Sequence, residues 1–562
     1  MERLDAVAEY KKLTNSRNFK TANNLYAQAR TNEKFDTGIQ WDGISSKNLR
    51  KTTYNFVGQT NGIKNASILA NELATNRTAD SIDDDNEHVQ EALEAYNMAD
   101  AKNWERLKMD AMNEQLVFNG SIEGLGVSYW YWDNDIKTGN TFVVQGDIDG
   151  QLVDSVNLYV ANPQQVDIQK QPWNKITIDM TVSELRAYAE KKGVSKEDAA
   201  TIMADEQEIA YRAFEKADYE QDNDSTDQLS TLVVNFKKVD GKMYKSESTK
   251  DMLIEDWKDI DMTLYPISIF PYKPRKSFIY GEAGMTRYIE NQIAANIQMA
   301  ARTKHALLMA IPKIIVNESV TGSFSPAIGS VNKVKLPPGS NINTSAIAFL
   351  QPTAMSSDVD KSVEDNITRT QDLDGVNQNI QGAARPENAA ALLTQIKQAA
   401  IPLESYKRRL YKYIEDTLLI WQEFYKTKYN MTRKYKTDDG EDMEFVGTDY
   451  ADVLMNVTID VGPSTQWSEI TSFQMLLDLW DRNIIKHPQQ VLTRLPKNSI
   501  TKQNELIEDD KTEQLIMMMI QALGMPPELQ EEFAQMETEE KVEMIQGILS
   551  TMGGQPNEVP SV

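Results

Sequence analysis

The chain has 562 residues, too many for a single growing hydrophobic core, so several structural regions are expected. With 40% hydrophobic and 25% charged residues it is neither wholly disordered nor collagenous, and the lack of cysteine excludes disulfides, thiolate metal sites and a cysteine nucleophile. A formal charge of -25 argues against tight non-specific capture of nucleic acid, because such affinity comes from Lys and Arg neutralising phosphates.

The opening MERLDAVAEYKKL lacks an uninterrupted apolar stretch and does not read as a secretory leader, and no later span reaches transmembrane length. Residues 1–120 read as helical, with apolar periodicity over 66–73 and 89–112. The cluster Asp83, Asp84, Asp85 and Glu87 lacks the ligand spacing and central glycine of a calcium loop and reads as a solvated helix start. Gly124 and Gly126 introduce a change of period. β-Branched and aromatic residues dominate 127–160, and Asn162-Pro163 ends that β region as a turn. A short helix is expected at 183–192 with Ser183 as its cap. An acidic helix and loop follow at 205–227, then strands at 232–238 and 242–246.

From Pro266 the chain is extended and proline-punctuated, and at Gly281 it passes into a helix running to about Met309. Met285, Ile289, Ile293 and Ile297 fall four apart on one face of that helix. Pro312 stops it. Short strands are expected at 313–317 and 330–336, with Pro337-Pro338-Gly339 as a turn. A second helix covers 357–373. Residues 375–387, GVNQNIQGAARPE, form a polar loop in which Gly375 and Gly382 bracket the tip and Arg385 is the only cation. The longest helix runs from 388 to about 426, with Leu392, Ile396, Leu403, Leu410, Ile414, Leu418 and Trp421 on its apolar side and Pro402 predicting a kink. A hairpin around 438–440 and a strand at 453–461 follow. From Trp467 onward the chain reads as helical and increasingly acidic, with the run LIMMMI at 515–520 expected to be buried and the last residues disordered. The overall expectation is an α+β, mainly helical chain.

No phosphate loop, dinucleotide fingerprint, zinc-protease helix or serine nucleophile elbow is present. His88, His305 and His487 lie far apart and read as surface or packing residues. No catalytic residue, metal site or cofactor is therefore expected.

The order of elements is informative: an α/β region, a long helix, a small β insert, a second helix, a polar loop, a proline-containing long helix and a helical tail. This order resembles the portal proteins of tailed bacteriophages. The segment YPISIFPYKPRKSFIYGEAGMTRYIENQIAANIQMAARTKHALLMAIPKIIV is similar to a recurrent portal passage, in which proline-rich chain leads to a Tyr-Gly turn and a helix with Gln292 and Asn296 one turn apart. NLYVANPQQVDI resembles the asparagine-proline turn of portal wings, and FQMLLDLWDRNIIKHPQQVLTRLP the passage after the last wing strand.

The resemblance implies a wing at 1–280, stem helices at 281–311 and 356–374, and a clip at 312–355. It implies a tunnel loop at 375–387, a long helix with wing strands at 388–465, and a crown and tail at 466–562. It implies a homo-oligomeric ring, dodecameric in this family, at one capsid vertex of the virion after assembly in the host cytoplasm. Double-stranded DNA would pass through that ring without sequence specificity, and no membrane would be involved. The terminase large subunit, head-tail adaptors and the major capsid protein would be its partners. Asn377, Gln378, Asn379, Gln381 and Arg385 would face the DNA at the narrowest point, while Lys313, Lys333 and Lys335 would present a basic docking surface on the clip. A head or tail assembly protein without a channel is the alternative.

Overall fold

The computed structural model describes residues 4–44, 49–70, 73–79, 86–138, 144–204, 228–310, 313–317, 333, 335–341, 347–350, 357–376, 389–436, 442–453 and 455–461. The chain divides into two compact units, Met1–Gly462 and Pro463–Val562, and all of these residues lie in the first. The expected crown helices, including the run at 515–520, and His487 lie outside the described residues.

The N-terminal region contains α1 (Ala6–Ala22), α2 (Leu25–Asp36), α3 (Phe56–Leu69), strand β1 (Leu73–Ala79), α4 (Glu87–Arg106) and α5 (Met109–Glu123). The periodicity over 66–73 predicted continuous helix, but the helix ends at Leu69 and Leu73 opens β1. The cause lies far along the chain: β1 pairs antiparallel with β16 (Met455–Val461), Leu73 opposite Val461. The single helix expected over 89–112 is two, because Lys108 takes a left-handed conformation at φ 52° between α4 and α5.

The β region comprises β2 (Leu125–Thr138), β3 (Val144–Val153) and β4 (Leu158–Val160), followed by β5 (Trp173–Thr181) and helices α6 (Val182–Lys191) and α7 (Lys196–Ala199). Next come β6 (Leu229–Val239), β7 (Lys242–Ser248), β8 (Leu253–Asp259), β9 (Ile267–Pro271), β10 (Lys273–Arg275) and β11 (Phe278–Glu282). The cap of α6 is Thr181 rather than Ser183: Glu184 N–H donates to the threonine hydroxyl while the Glu184 carboxylate receives Thr181 N–H. That reciprocal arrangement satisfies two free donors where Ser183 would satisfy one. Strands β4 to β8 form one antiparallel sheet in sequence order, and β3, β2 and β9 form another.

The helix expected from Gly281 starts later. Gly281 still belongs to β11, a single 3-10 turn covers Thr286–Tyr288, and α8 spans Ile289–Ala310. After it come β12 (Lys313–Val316) and β13 (Ile347–Leu350), paired antiparallel. The strand expected at 330–336 is corrected on its described members, since 333, 335 and 336 are not in a strand and β13 takes the pairing instead. Pro337 and Pro338 lack the N–H a ladder needs, and they serve a turn in which Ser340 N–H donates to Pro337 carbonyl and Gly339 holds φ 86°. Helix α9 (Ser357–Leu373) matches its sequence expectation, and α10 (Ala389–Lys428) contains Pro402. Strands β14 (Arg433–Lys436) and β15 (Asp442–Phe445) complete the elements as an antiparallel pair.

The core lies between α10 and the β2–β9 pair. Leu403, Leu410, Ile414, Leu418 and Trp421 are buried, as the apolar side of α10 predicts, and Trp421 meets Trp130 of β2 edge-on with ring centres 5.3 Å apart. A chain of hydroxyls crosses the same interface. Tyr413 donates to Ser128, Ser128 bonds Ser268, Ser268 bonds Thr417, and Trp130 Nε1 also donates to Ser268. These hydroxyls and the Trp130 indole are thus paired inside the core, while the buried Trp421 Nε1 has no hydrogen-bond partner among the described residues.

Candidate functional site

The site implied by sequence has two parts, and the structure locates them unequally. Asn377, Gln378, Asn379, Gln381 and Arg385 lie outside the described residues, as do Gly382, Pro386 and Glu387. Of the three lysines, Lys313 opens β12 opposite Leu350, while Lys333 and Lys335 are exposed.

Helix α9 leads into positions 375–387 from one side and α10 follows them on the other. Helices α8 and α9 pack together, with Asn291 donating to the Thr370 hydroxyl and Asn366 donating to the Asn291 carbonyl. The apolar contact is small: Met285 and Ile289 are buried against Phe56 and Val57, Ile293 and Ile367 border that cluster, and Ile297 is exposed. The four-residue apolar spacing on α8 therefore fades from core to surface along the helix.

Gln292 and Asn296 are 0% and 1% exposed, and their amides account for their spacing. Gln292 accepts Val57 N–H and donates to Tyr54 carbonyl, and Asn296 accepts Tyr54 N–H and donates to Gln40. Gln292 also donates to Asn296 at 3.0 Å. Two amides one turn apart thus satisfy the extended backbone at Tyr54 and the free N–H of Val57 in the first turn of α3.

Helix α9 ends in a defined motif. Val376 N–H donates to Gln371 carbonyl and Gly375 N–H to Asp372 carbonyl, with Gly375 at φ 80° and Val376 buried. Asp374, the residue before that glycine, accepts from Lys64 Nζ of α3 at 2.6 Å and from Tyr288 hydroxyl at 2.9 Å. Lys64 Nζ also donates to Tyr406 hydroxyl at 3.3 Å and lies 4.5 Å from that ring centre. Burial, with the Asp374 charge beside it, pushes the Tyr288 phenol up, so it remains a donor. Sequence reasoning missed Lys64 and Tyr288. The available signal was Asp374 itself, a carboxylate at the negative end of a helix, which requires a cation from elsewhere.

A second concentration of buried charge joins α1 to the β4 region. Lys20 Nζ donates to the carbonyls of Ser155, Val156 and Leu158 at 2.6 to 2.8 Å and lies 4.2 Å from the Tyr159 ring centre. Burial holds its ammonium well below the usual lysine range. Nearby, Glu123 accepts Ser155 N–H, and burial followed by the Asp154 charge pushes its carboxyl up to about 8.

Among the described residues no group of three or more His, Asp or Glu side chains is placed to hold a metal ion. His88 is exposed, its Nε2 3.8 Å from Asp452. No helix among the described residues is long and apolar enough to cross a membrane. No family model matches the chain, and no curated protein matches it.

Proposed function

We propose that this chain is the portal subunit of a tailed bacteriophage, forming a ring at one capsid vertex through which double-stranded DNA is packaged and ejected. The observation that carries the reading is the order α8, β12–β13, α9, α10: two packed helices flank a small antiparallel sheet, and the chain then enters a long helix seated on the β2–β9 sheet. In this reading α8 and α9 are the stem, the β12–β13 region is the clip that receives the terminase large subunit and head-tail adaptors, and 375–387 is the channel's narrowest segment. The major capsid protein surrounds the ring in the virion.

The protein acts without chemistry of its own. Its acidity suits a passage along which a polyanion must slide, since like charge keeps the duplex from adhering. Electron microscopy of the purified protein tests the reading. Rings with a central hole about 2 to 4 nm wide, enough for B-form DNA, are expected. Monomers, or closed assemblies without a hole, would instead place the chain among head or tail assembly proteins that have no channel.

A further inference from the structure

Helix α9 is weakly held by its own apolar face. Among its described side chains only Val363 and Thr370 are buried, and it meets α8 through two hydrogen bonds and the half-buried Ile367. Against that thin interface stands one buried ion pair at its C-terminal end, Lys64 and Asp374, whose side chains are 2% and 10% exposed. Around it converge Tyr288 ahead of α8, Tyr406 of α10 and Tyr272, whose hydroxyl donates to Asn65 beside Lys64. Gly375 follows immediately, and a Cβ built there would stand 3.0 Å from Pro402 Cβ, so the chain leaves α9 pressed against α10.

We propose that the Lys64–Asp374 pair is a latch that couples the seating of the end of α9 to that of α3, so that neither releases alone. The argument is electrostatic. Asp374 sits where the helix already presents its negative end, and burial adds a second penalty on the carboxylate. Lys64 supplies the cation in direct contact that offsets both, with the Tyr288 hydroxyl as a neutral second donor. Remove the ammonium and the same carboxylate becomes a group that the site expels, drawing the end of α9 toward water. The reverse holds for α3, since Lys64 without Asp374 is a buried cation whose remaining acceptor among the described residues is the Tyr406 phenol.

The latch is argued from contacts within one chain. It rests on the portal reading only in naming what it positions, the base of the segment at the channel constriction.

Hydrogen exchange on the full chain tests it, comparing wild type, Lys64→Met and the double variant Lys64→Met/Asp374→Leu. In Lys64→Met the amides of 374–376 and of the second half of α3 should exchange at least roughly tenfold faster, with the β5–β6 amides unchanged as a control for folding. The double variant carries no buried charge and should return both segments to within about threefold of wild type. The latch is overturned if the end of α9 keeps its wild-type exchange in Lys64→Met, if it accelerates without α3, or if the double variant stays as fast as the single one. The exchange comparison is made between variants of the same assembly state, verified by electron microscopy, so a failed latch and a failed portal reading are told apart.

Discussion

Arg77 and Asp100 meet as a bidentate pair, Nε to Oδ2 at 2.6 Å and Nη2 to Oδ1 at 3.0 Å, with both side chains 1% exposed. Arg77 also donates to Gln422 and to Leu418 carbonyl, and Asp100 receives the Tyr425 hydroxyl, so one pair fastens β1, α4 and α10 together. Arg77→Met leaves a buried carboxylate without its cation and should destabilise the protein by about 3–5 kcal/mol. A urea unfolding midpoint indistinguishable from wild type would show that the pair is not what holds α10 to the N-terminal region.

The Gln292–Asn296 arrangement predicts loss by unpaired backbone. Gln292→Ala orphans Val57 N–H and Tyr54 carbonyl, and Asn296→Ala orphans Tyr54 N–H, each at about 1–3 kcal/mol. Because the two amides also bond one another, the double variant should lose less than the sum of the singles. Thermal melts of the three variants measure this, and strict additivity would mean that the amides act separately.

Strongly periodic segments were legible in the sequence. Helix α9 and the buried side of α10 follow from spacing alone, because one apolar stripe is enough to specify a helix and its inward face. What escaped was whatever depends on a distant partner. Strand β1 is specified by β16, and Lys64 meets Asp374 across 310 positions, a separation at which no local pattern carries information. The spacing of Gln292 and Asn296 carries no local signal of their role, because Tyr54 and Val57, whose backbone they bond, lie more than two hundred positions away. The cap of α6 was legible, since Thr181 and Glu184 have the spacing of a reciprocal cap, yet Ser183 is the nearer match to a plain one.

Glu123 predicts an alkaline weakness. Its carboxyl is pushed from an ordinary value of 4.5 up to about 8, so the folded protein binds a proton that the unfolded chain has lost. Stability from this group is complete below about pH 4.5 and declines as pH rises through 8. Glu123→Gln mimics the protonated acid and can still accept Ser155 N–H. Its melting temperature should therefore exceed that of wild type at pH 9 and match it near pH 5, and parallel profiles for the two proteins would sink the assignment.

Lys333 and Lys335 are exposed lysines in a chain of net charge -25, close before the Pro337-Pro338 turn. On the portal reading they face out of the capsid, where a partner must find a small target against the repulsion of the rest of the molecule. Opposite charge at a docking rim acts mainly on the rate of encounter, so Lys333→Glu/Lys335→Glu should slow terminase or adaptor association about tenfold at low salt, with a smaller effect at high salt. Neither side chain is buried, so rings should assemble and melt as in wild type. Surface-capture kinetics at two salt concentrations separate the outcomes. If association is unchanged at low salt, both lysines only solvate the chain between β12 and β13, and docking must be sought elsewhere on the clip.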